Sequence, residues 1–237
     1  TNMIEFTTAF AKKFNKEPTV KWMDVVNETI LPNGKWFGPK KGTNKWENPW
    51  LKIGLDDNGC PLYILKAFEI ATKYATNIKL VYNHNAGMES FMWDKVKETI
   101  LYIRSKGYRV DGIGWQAHIG LSASTKAILE NTDEELRKLS DLIGWAHKNN
   151  LEFHITELDY FVKDNNKLSE EHQKQAEIYA KIVNILREKI KSGVGTLNFW
   201  DMAVRTKKGK EGAFHSIYDS DFKPTPAYKA INLLSKN

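Results

Sequence analysis

Apolar residues recur along this chain in two alternating rhythms. In one they fall three and four positions apart, as on the inward face of a helix. In the other, short runs of Val, Ile, Leu and aromatics are bounded by Gly, Pro, Asn or Asp, as in buried strands. The helical rhythm predicts a helix from Ile4 to Phe14, with Pro18 beyond its end. It predicts a second with Pro61 in the first turn and Leu62, Ala67, Ile70, Ala71 and Tyr74 on its apolar face. A third runs from Phe91 to Lys106, with Met92, Val96, Ile100 and Ile103 on one side and Gly107 at the C-terminus. Thr132-Asp133-Glu134-Glu135 reads as a capping box, opening a helix that buries Leu136, Leu139, Leu142 and Ile143. Two more are expected over Ser169 to Lys191 and Pro226 to Leu234, the latter with Ala227, Ala230, Ile231 and Leu234 inward.

Between these lie strand-like runs at Val20 to Asn27, Ile78 to Asn83, Val110 to Gln116, Leu151 to Thr156 and Val194 to Phe199. A long loop, Thr29 to Gly59, carries Trp36, Phe37, Trp46 and Trp50 among Gly, Pro and Asn. Strands separated by amphipathic helices imply parallel pairing and βαβ units. Each run closes on polar or aromatic residues: Asn27-Glu28, Tyr82-Asn83, Gln116 to His118, Glu157 to Asp159 and Trp200-Asp201. Functional residues at the C-terminal ends of successive strands point to a (β/α)8 TIM-barrel type of α/β fold. A doubly wound sheet is the competitor, but no GxGxxG or GxxxxGK[ST] phosphate loop occurs. Five strands do not close an eight-stranded barrel. Either an upstream polypeptide supplies three further βα units and this chain about the last five, or the fold is not a full barrel.

Composition sharpens this picture only in places. Residues 1–237 are enough for one large domain, and a 41% hydrophobic fraction supports a substantial core. Eight Trp and nine Tyr are many for this length, and some are expected in a site, because aromatic faces stack on flat apolar surfaces such as sugar rings. The net charge of +6 comes from scattered basic residues, with a short cluster at Lys207, Lys208 and Lys210 and no nucleic-acid motif. The single cysteine, Cys60, excludes an internal disulfide and a CxxC metal site, and reads as a small packing residue. No run approaches the roughly 18 apolar residues of a membrane span. The chain opens on Thr1 and not on Met, so a processed, trimmed or dissected product is expected.

The candidate chemistry sits in two segments, Trp22 to Glu28 (WMDVVNE) and Phe153 to Asp159 (FHITELD). A strand built from Val, Ile and aromatics has no local need for a terminal carboxylate. Two such carboxylates at equivalent strand ends suggest a pair converging on one bond, as sugar-cleaving enzymes require. Strand-end glutamates also occur as helix-cap partners or ion-pair members, and a pair with these flanks is the less usual case.

WMDVVNE resembles the WDVVNE motif of glycoside hydrolase family 10, the endo-β-1,4-xylanases, and FHITELD resembles that family's ITELD motif. IGWQAH (Ile113 to His118) is similar to its GxQxH strand, LVYNHNA (Leu80 to Ala86) to its YNDYN strand, and LNFWDMA (Leu197 to Ala203) to its FWG-type strand end. YDSDFKPTPAY (Tyr218 to Tyr228) is similar to the family's closing segment. The likeness covers nearly the whole chain in the family's order.

The resemblance implies a retaining endo-β-1,4-xylanase acting on xylan or xylo-oligosaccharides, with no cofactor and no metal. Glu28 matches the acid/base and Glu157 the nucleophile, and the mechanism wants the first protonated and the second ionised. Asn27 matches a contact to the sugar 2-hydroxyl. Gln116 and His118 match the polar pair near the nucleophile, with His118 expected to bridge Asp159 and Glu157. Trp200 matches the aromatic floor under the cleaved sugar, and Asn83 is a candidate on the leaving-group side. His84-Asn85-Ala86 departs from the family's Asp-Tyr-Asn. The family's second tryptophan has no clear match in Val204 to His215, and Phe214 is the candidate substitute.

The family's first three strands are absent. The resemblance thus implies one catalytic domain over residues 1–237, partnered by an N-terminal fragment of the same enzyme that completes the barrel. No nucleic-acid or membrane partner is expected, and secretion or display at the cell surface is. The alternatives weighed are a related retaining β-glucanase or β-glycosidase, and a non-catalytic polysaccharide-binding protein that uses the Trp-rich loop.

Overall fold

A computed structural model describes residues 2–39, 48–163, 165–206 and 212–235. Trp46 and the Lys207, Lys208 and Lys210 cluster lie outside these, as does the side chain of Leu234. The chain forms two compact units: Thr1–His84 with Glu89–Gly114, and Asn85–Met88 with Trp115–Asn237.

The first unit runs α1 (Asn2–Phe14), β1 (Trp22–Asn27), α2 (Leu62–Tyr74), β2 (Lys79–His84), α3 (Ser90–Ser105) and β3 (Gly112–Trp115), with strand order β1-β2-β3. β1 and β2 pair in parallel, as the helix between them requires. The core joins Ile64 and Phe68 of α2, Leu80 and Tyr82 of β2, and Val96 and Ile100 of α3, all wholly buried. Burial of each such side chain contributes about 1.5–3 kcal/mol. The Phe68 and Tyr82 rings stack 6.0 Å apart, and the Tyr82 hydroxyl shares a 2.5 Å hydrogen bond with Thr29. Gly107 ends α3 as expected: at φ +82° its N–H reaches Arg104 O, while Tyr108 N reaches Ile103 O, a Schellman motif. The apolar face of α2 holds Ala67, Ile70 and Ala71 as expected, but is wider than expected at its N-terminal end. Tyr63, Ile64 and Phe68 are inside and Leu62 is exposed, because helix begins only after Pro61. Cys60 is buried, and burial pushes its thiol up to about 12, out of reach of thiolate chemistry.

The second unit contains β4 (His118–Ile119), α4 (Ala123–Glu130), α5 (Thr132–Lys148), β5 (Glu152–Val162), α6 (Leu168–Lys189), β6 (Gly195–Phe199), β7 (Arg205–Thr206), β8 (Ala213–His215) and α7 (Pro226–Ser235). β5 is its spine, pairing in parallel with β6 and β4 and antiparallel with β8, which in turn pairs antiparallel with β7. Four expectations are corrected here. β5 runs on through the polar Thr156, Glu157 and Asp159 to Val162, because β4 and β8 supply ladder partners there. Thr132 does not cap α5; its hydroxyl donates to Ile128 O at the end of α4. The capping box is instead Ser122–Thr125, opening α4, a helix the periodicity did not reveal. The β7–β8 ribbon was also not expected.

Each unit keeps an apolar margin in solvent. In the first, Phe6, Phe10 and Trp22 are exposed. In the second, β6 has no buried residue despite its Leu and Phe. Among the described residues, no helix is long and apolar enough to cross a membrane.

Candidate active site

The two candidate glutamates reach their positions by the same local device. In β1, Asp24 pairs with Val81 and Val26 with Tyr82, so Val25 is one extra residue. In β5, Ile155 pairs with Leu197 and Leu158 with Phe199, so three steps on β5 face two on β6. Each strand thus carries one surplus residue at or just before its glutamate. Such bulges re-aim side chains where regular pleating cannot. The backbone is also bent at these ends. Glu28 has φ +52° and Ala117, between Gln116 and His118, has φ +63°. Side chains other than glycine seldom occupy this region, and such residues concentrate where function holds them.

In the first unit, Glu28 is half-buried and its N–H donates to Asn83 O at 3.3 Å. Asn83 is buried, and its amide donates to Asn27 Oδ1 at 3.1 Å. Asn83 therefore orients Asn27, which is itself exposed. Glu28 and Asn27 line a cavity of about 590 Å³ with Phe6, Phe37, Trp50 and Tyr63 among its walls. Trp50 is 40% exposed there. Trp36 is spent on packing: its indole N–H donates to Gly59 O and Lys95 lies over its ring. His84, at the departure from the family pattern, is buried and accepts from Ile30 N at 3.0 Å.

In the second unit, His118 stands between two carboxylates, as expected. Its Nε2 is 3.2 Å from Glu157 Oε2 and its Nδ1 is 2.8 Å from Asp159 Oδ1. Both ring nitrogens face carboxylate oxygens, an arrangement that favours the protonated ring, which donates from both. Burial alone would lower its pKa, but the hydrogen bonds to Asp159 and Glu157 win and raise it to about 9. Burial pushes the Asp159 carboxyl up, against the pull of His118 and Arg205. Trp200 is 52% exposed and meets the His118 ring edge-on at 6.2 Å. Gln116 is buried. His154, left unassigned from sequence, is buried against Thr196 and Glu152, and burial lowers it to about 4.

Phe214 does not replace the family's second tryptophan. It is buried on β8 against Phe161 and offers no face to a sugar. The residue that sequence reasoning missed is Arg205, which touches Asp159 and Asp201. Its chemistry depends on the β7–β8 ribbon, which leaves no periodic trace. Asp56 and Asp219 are occupied within turns, accepting backbone N–H groups of Asn58 and Cys60, and of Asp221 and Lys223. Among the described residues no group of three or more His, Cys, Asp or Glu is placed to hold a metal ion.

Comparison with known proteins gives a profile match to glycosyl hydrolase family 10 over residues 1–233. The chain belongs to this family. Its fold is accordingly part of a (β/α)8 barrel. It is 28% identical over 228 residues to endo-1,4-beta-xylanase A of Thermoanaerobacterium saccharolyticum, covering 94% of this chain and 17% of that protein. It is 30% identical over 200 residues to endo-1,4-beta-xylanase A of Caldicellulosiruptor saccharolyticus, covering 80% of this chain and 51% of that protein. Xylanase 10B of Thermotoga petrophila, solved in complex with xylobiose, superposes with a TM-score of 0.75 at 26% identity, covering 98% of this chain and 64% of that one. A family 10 structure from Paenibacillus barcinonensis gives 0.76 at 21% identity, with 99% and 67% covered. The chain thus spans about two thirds of these solved family 10 chains, and from under a fifth to about half of the two sequence relatives.

Proposed function

We propose that residues 1–237 act as one catalytic domain, the larger part of a retaining endo-β-1,4-xylanase that cleaves the xylan backbone by double displacement. Glu157 attacks the anomeric carbon and forms a glycosyl-enzyme. Glu28 protonates the departing glycosidic oxygen, then takes a proton from the incoming water. The chemistry requires the two carboxyl groups about 5–5.5 Å apart. Asn27, held by Asn83, meets the sugar 2-hydroxyl. Trp200 supports the ring, and Gln116 lies beside the nucleophile. The observation that carries the reading is the placing of His118 between Glu157 and Asp159, which holds the strand-end carboxylate of Glu157 in a fixed orientation. The relatives named as xylanases support the substrate class.

Three βα units of the family's barrel have no counterpart in residues 1–237. We read them as supplied by an N-terminal segment of the same enzyme, seated against the margins at Phe6, Phe10 and Trp22 and at β6. The uncovered apolar side chains there support this. We read secretion or display at the cell surface from the polymeric nature of the proposed substrate. A relative named Exoglucanase XynX of Acetivibrio thermocellus, 28% identical over 228 residues, keeps a β-glucanase as the second reading.

The test is a hydrolysis panel of xylan, carboxymethyl cellulose and aryl glycosides, run on the complete polypeptide. Product anomers are read by NMR and a 2-fluoro xyloside serves as trap. We expect xylan turnover, retained configuration and label on Glu157. Inverted products, or label elsewhere, would refute the mechanism. Turnover of the glucan alone would favour the second reading, and sugar binding without turnover would make the chain a binding protein.

A further inference from the structure

The double-displacement scheme leaves Arg205 without a role, yet its surroundings are specific. It opens β7, and one guanidinium nitrogen, Nη2, is 3.5 Å from Asp159 Oδ2. Its Nε–H donates to Asp201 Oδ2, and its plane lies over the Phe214 ring at 4.3 Å. Asp159 has no solvent-exposed surface. One of its oxygens accepts from His118, while the other is buried and accepts no hydrogen bond. The cation facing that second oxygen is Arg205. Glu157, His118, Asp159, Arg205 and Asp201 therefore form a row of contacts in which the charge alternates at every step. A further titratable neighbour among the described residues is the buried phenol of Tyr179 on α6, which burial keeps neutral. A carboxylate this deep is stable as an anion only while its partners stay.

We propose that Arg205 is a positioning residue for the nucleophile. By facing the outer oxygen of Asp159, it holds that carboxylate ionised and oriented, and so keeps the His118 donor aimed at Glu157. The inference rests on the reading of Glu157 as the nucleophile. An arginine suits the task better than a lysine. Its fork spans two carboxylates while its flat face stacks on Phe214, and an ammonium provides only a point charge.

The test compares Arg205→Gln and Arg205→Lys with the wild type in the complete polypeptide. It measures kcat and KM on an activated aryl xyloside from acid to neutral pH, and the rate of labelling by a 2-fluoro xyloside. Loss of the cation makes Asp159 easier to protonate. Arg205→Gln should therefore lower kcat and the labelling rate by about tenfold, leave KM unchanged, and move the acid limb to higher pH. Arg205→Lys should recover part of the rate and most of the limb. An acid limb unmoved in Arg205→Gln overturns the proposal, as does an effect on KM alone, which would mean that Arg205 meets the sugar. If the glutamine variant does not fold, a lysine variant with wild-type kcat overturns it equally. The wild-type label separates the two levels. Label away from Glu157 refutes the nucleophile assignment and this inference with it. Label on Glu157 with no change at Arg205 refutes this inference alone.

Discussion

Each glutamate is delivered by its own bulged strand, and the two differ in almost everything around them. Glu157 lies within an eleven-residue strand, its carboxylate 3.2 Å from an imidazolium that is backed by a buried aspartate. Glu28 lies just past a six-residue strand, on a left-handed backbone, at the wall of a cavity with Phe6, Phe37 and Trp50. One environment fixes an orientation beside a cationic ring. The other offers space beside apolar surface. A nucleophile needs the first, since it must be ionised and aimed before the bond breaks. An acid/base needs the second, since it must hand a proton to a bulky leaving group and then admit water.

This contrast can be broken from either side. The largest effect is expected from Glu157→Ala, which should lower turnover of every substrate by about a millionfold, as loss of a nucleophile does. Azide should then restore turnover with inverted product, measurable by NMR. Glu28→Ala should cost about 10²–10⁴-fold on xylan and far less on an aryl xyloside whose leaving group needs no proton. Azide should there give retained product. Equal losses on both substrates would mean that Glu28 is not the acid.

His118 sharpens the comparison through pH. Its pKa of about 9 lies above the ordinary 6.5, so its charge and its contribution to stability are complete below about 6.5 and are lost as pH rises through about 9. Above that pH the ring keeps a single N–H and can no longer donate to both Glu157 and Asp159. The basic limb of kcat on an activated aryl xyloside should fall near pH 9 in wild type and be absent in His118→Gln. That variant should already be about ten- to a hundredfold slower at neutral pH. The smallest effect is expected from Trp200→Ala: a rise in KM of up to about tenfold with kcat nearly kept, the worth of one stacked ring.

The features legible in sequence were those that local rules dictate. The repeats of Met92, Val96, Ile100 and Ile103, closed by Gly107, announce α3 and its end, and the Val-rich runs announce β1 and β2. The His118 bridge was legible only through family resemblance, since a histidine two residues from a glutamine has no rule of its own. Other features depended on partners distant along the chain. β5 continues through Glu157 because β4 and β8 reach it, which no window of polar residues can report. Thr132 looked like a cap because nothing local shows that α4 ends two residues earlier and takes its hydroxyl. Arg205 sits in a two-residue strand, and its meaning comes wholly from Asp159, which lies 46 positions away.

The surplus residues in β1 and β5 also bear on how such a chain tolerates changes of length. Neighbouring side chains on a strand point to opposite faces. Removing Val25 would restore an even ladder with β2 and turn Glu28 toward the wrong face, although no catalytic atom had been deleted. The hazard for gene shuffling and for natural deletion is thus a codon that encodes an ordinary valine. Splice points between related enzymes should keep these irregular stretches whole and fall in the turns on either side.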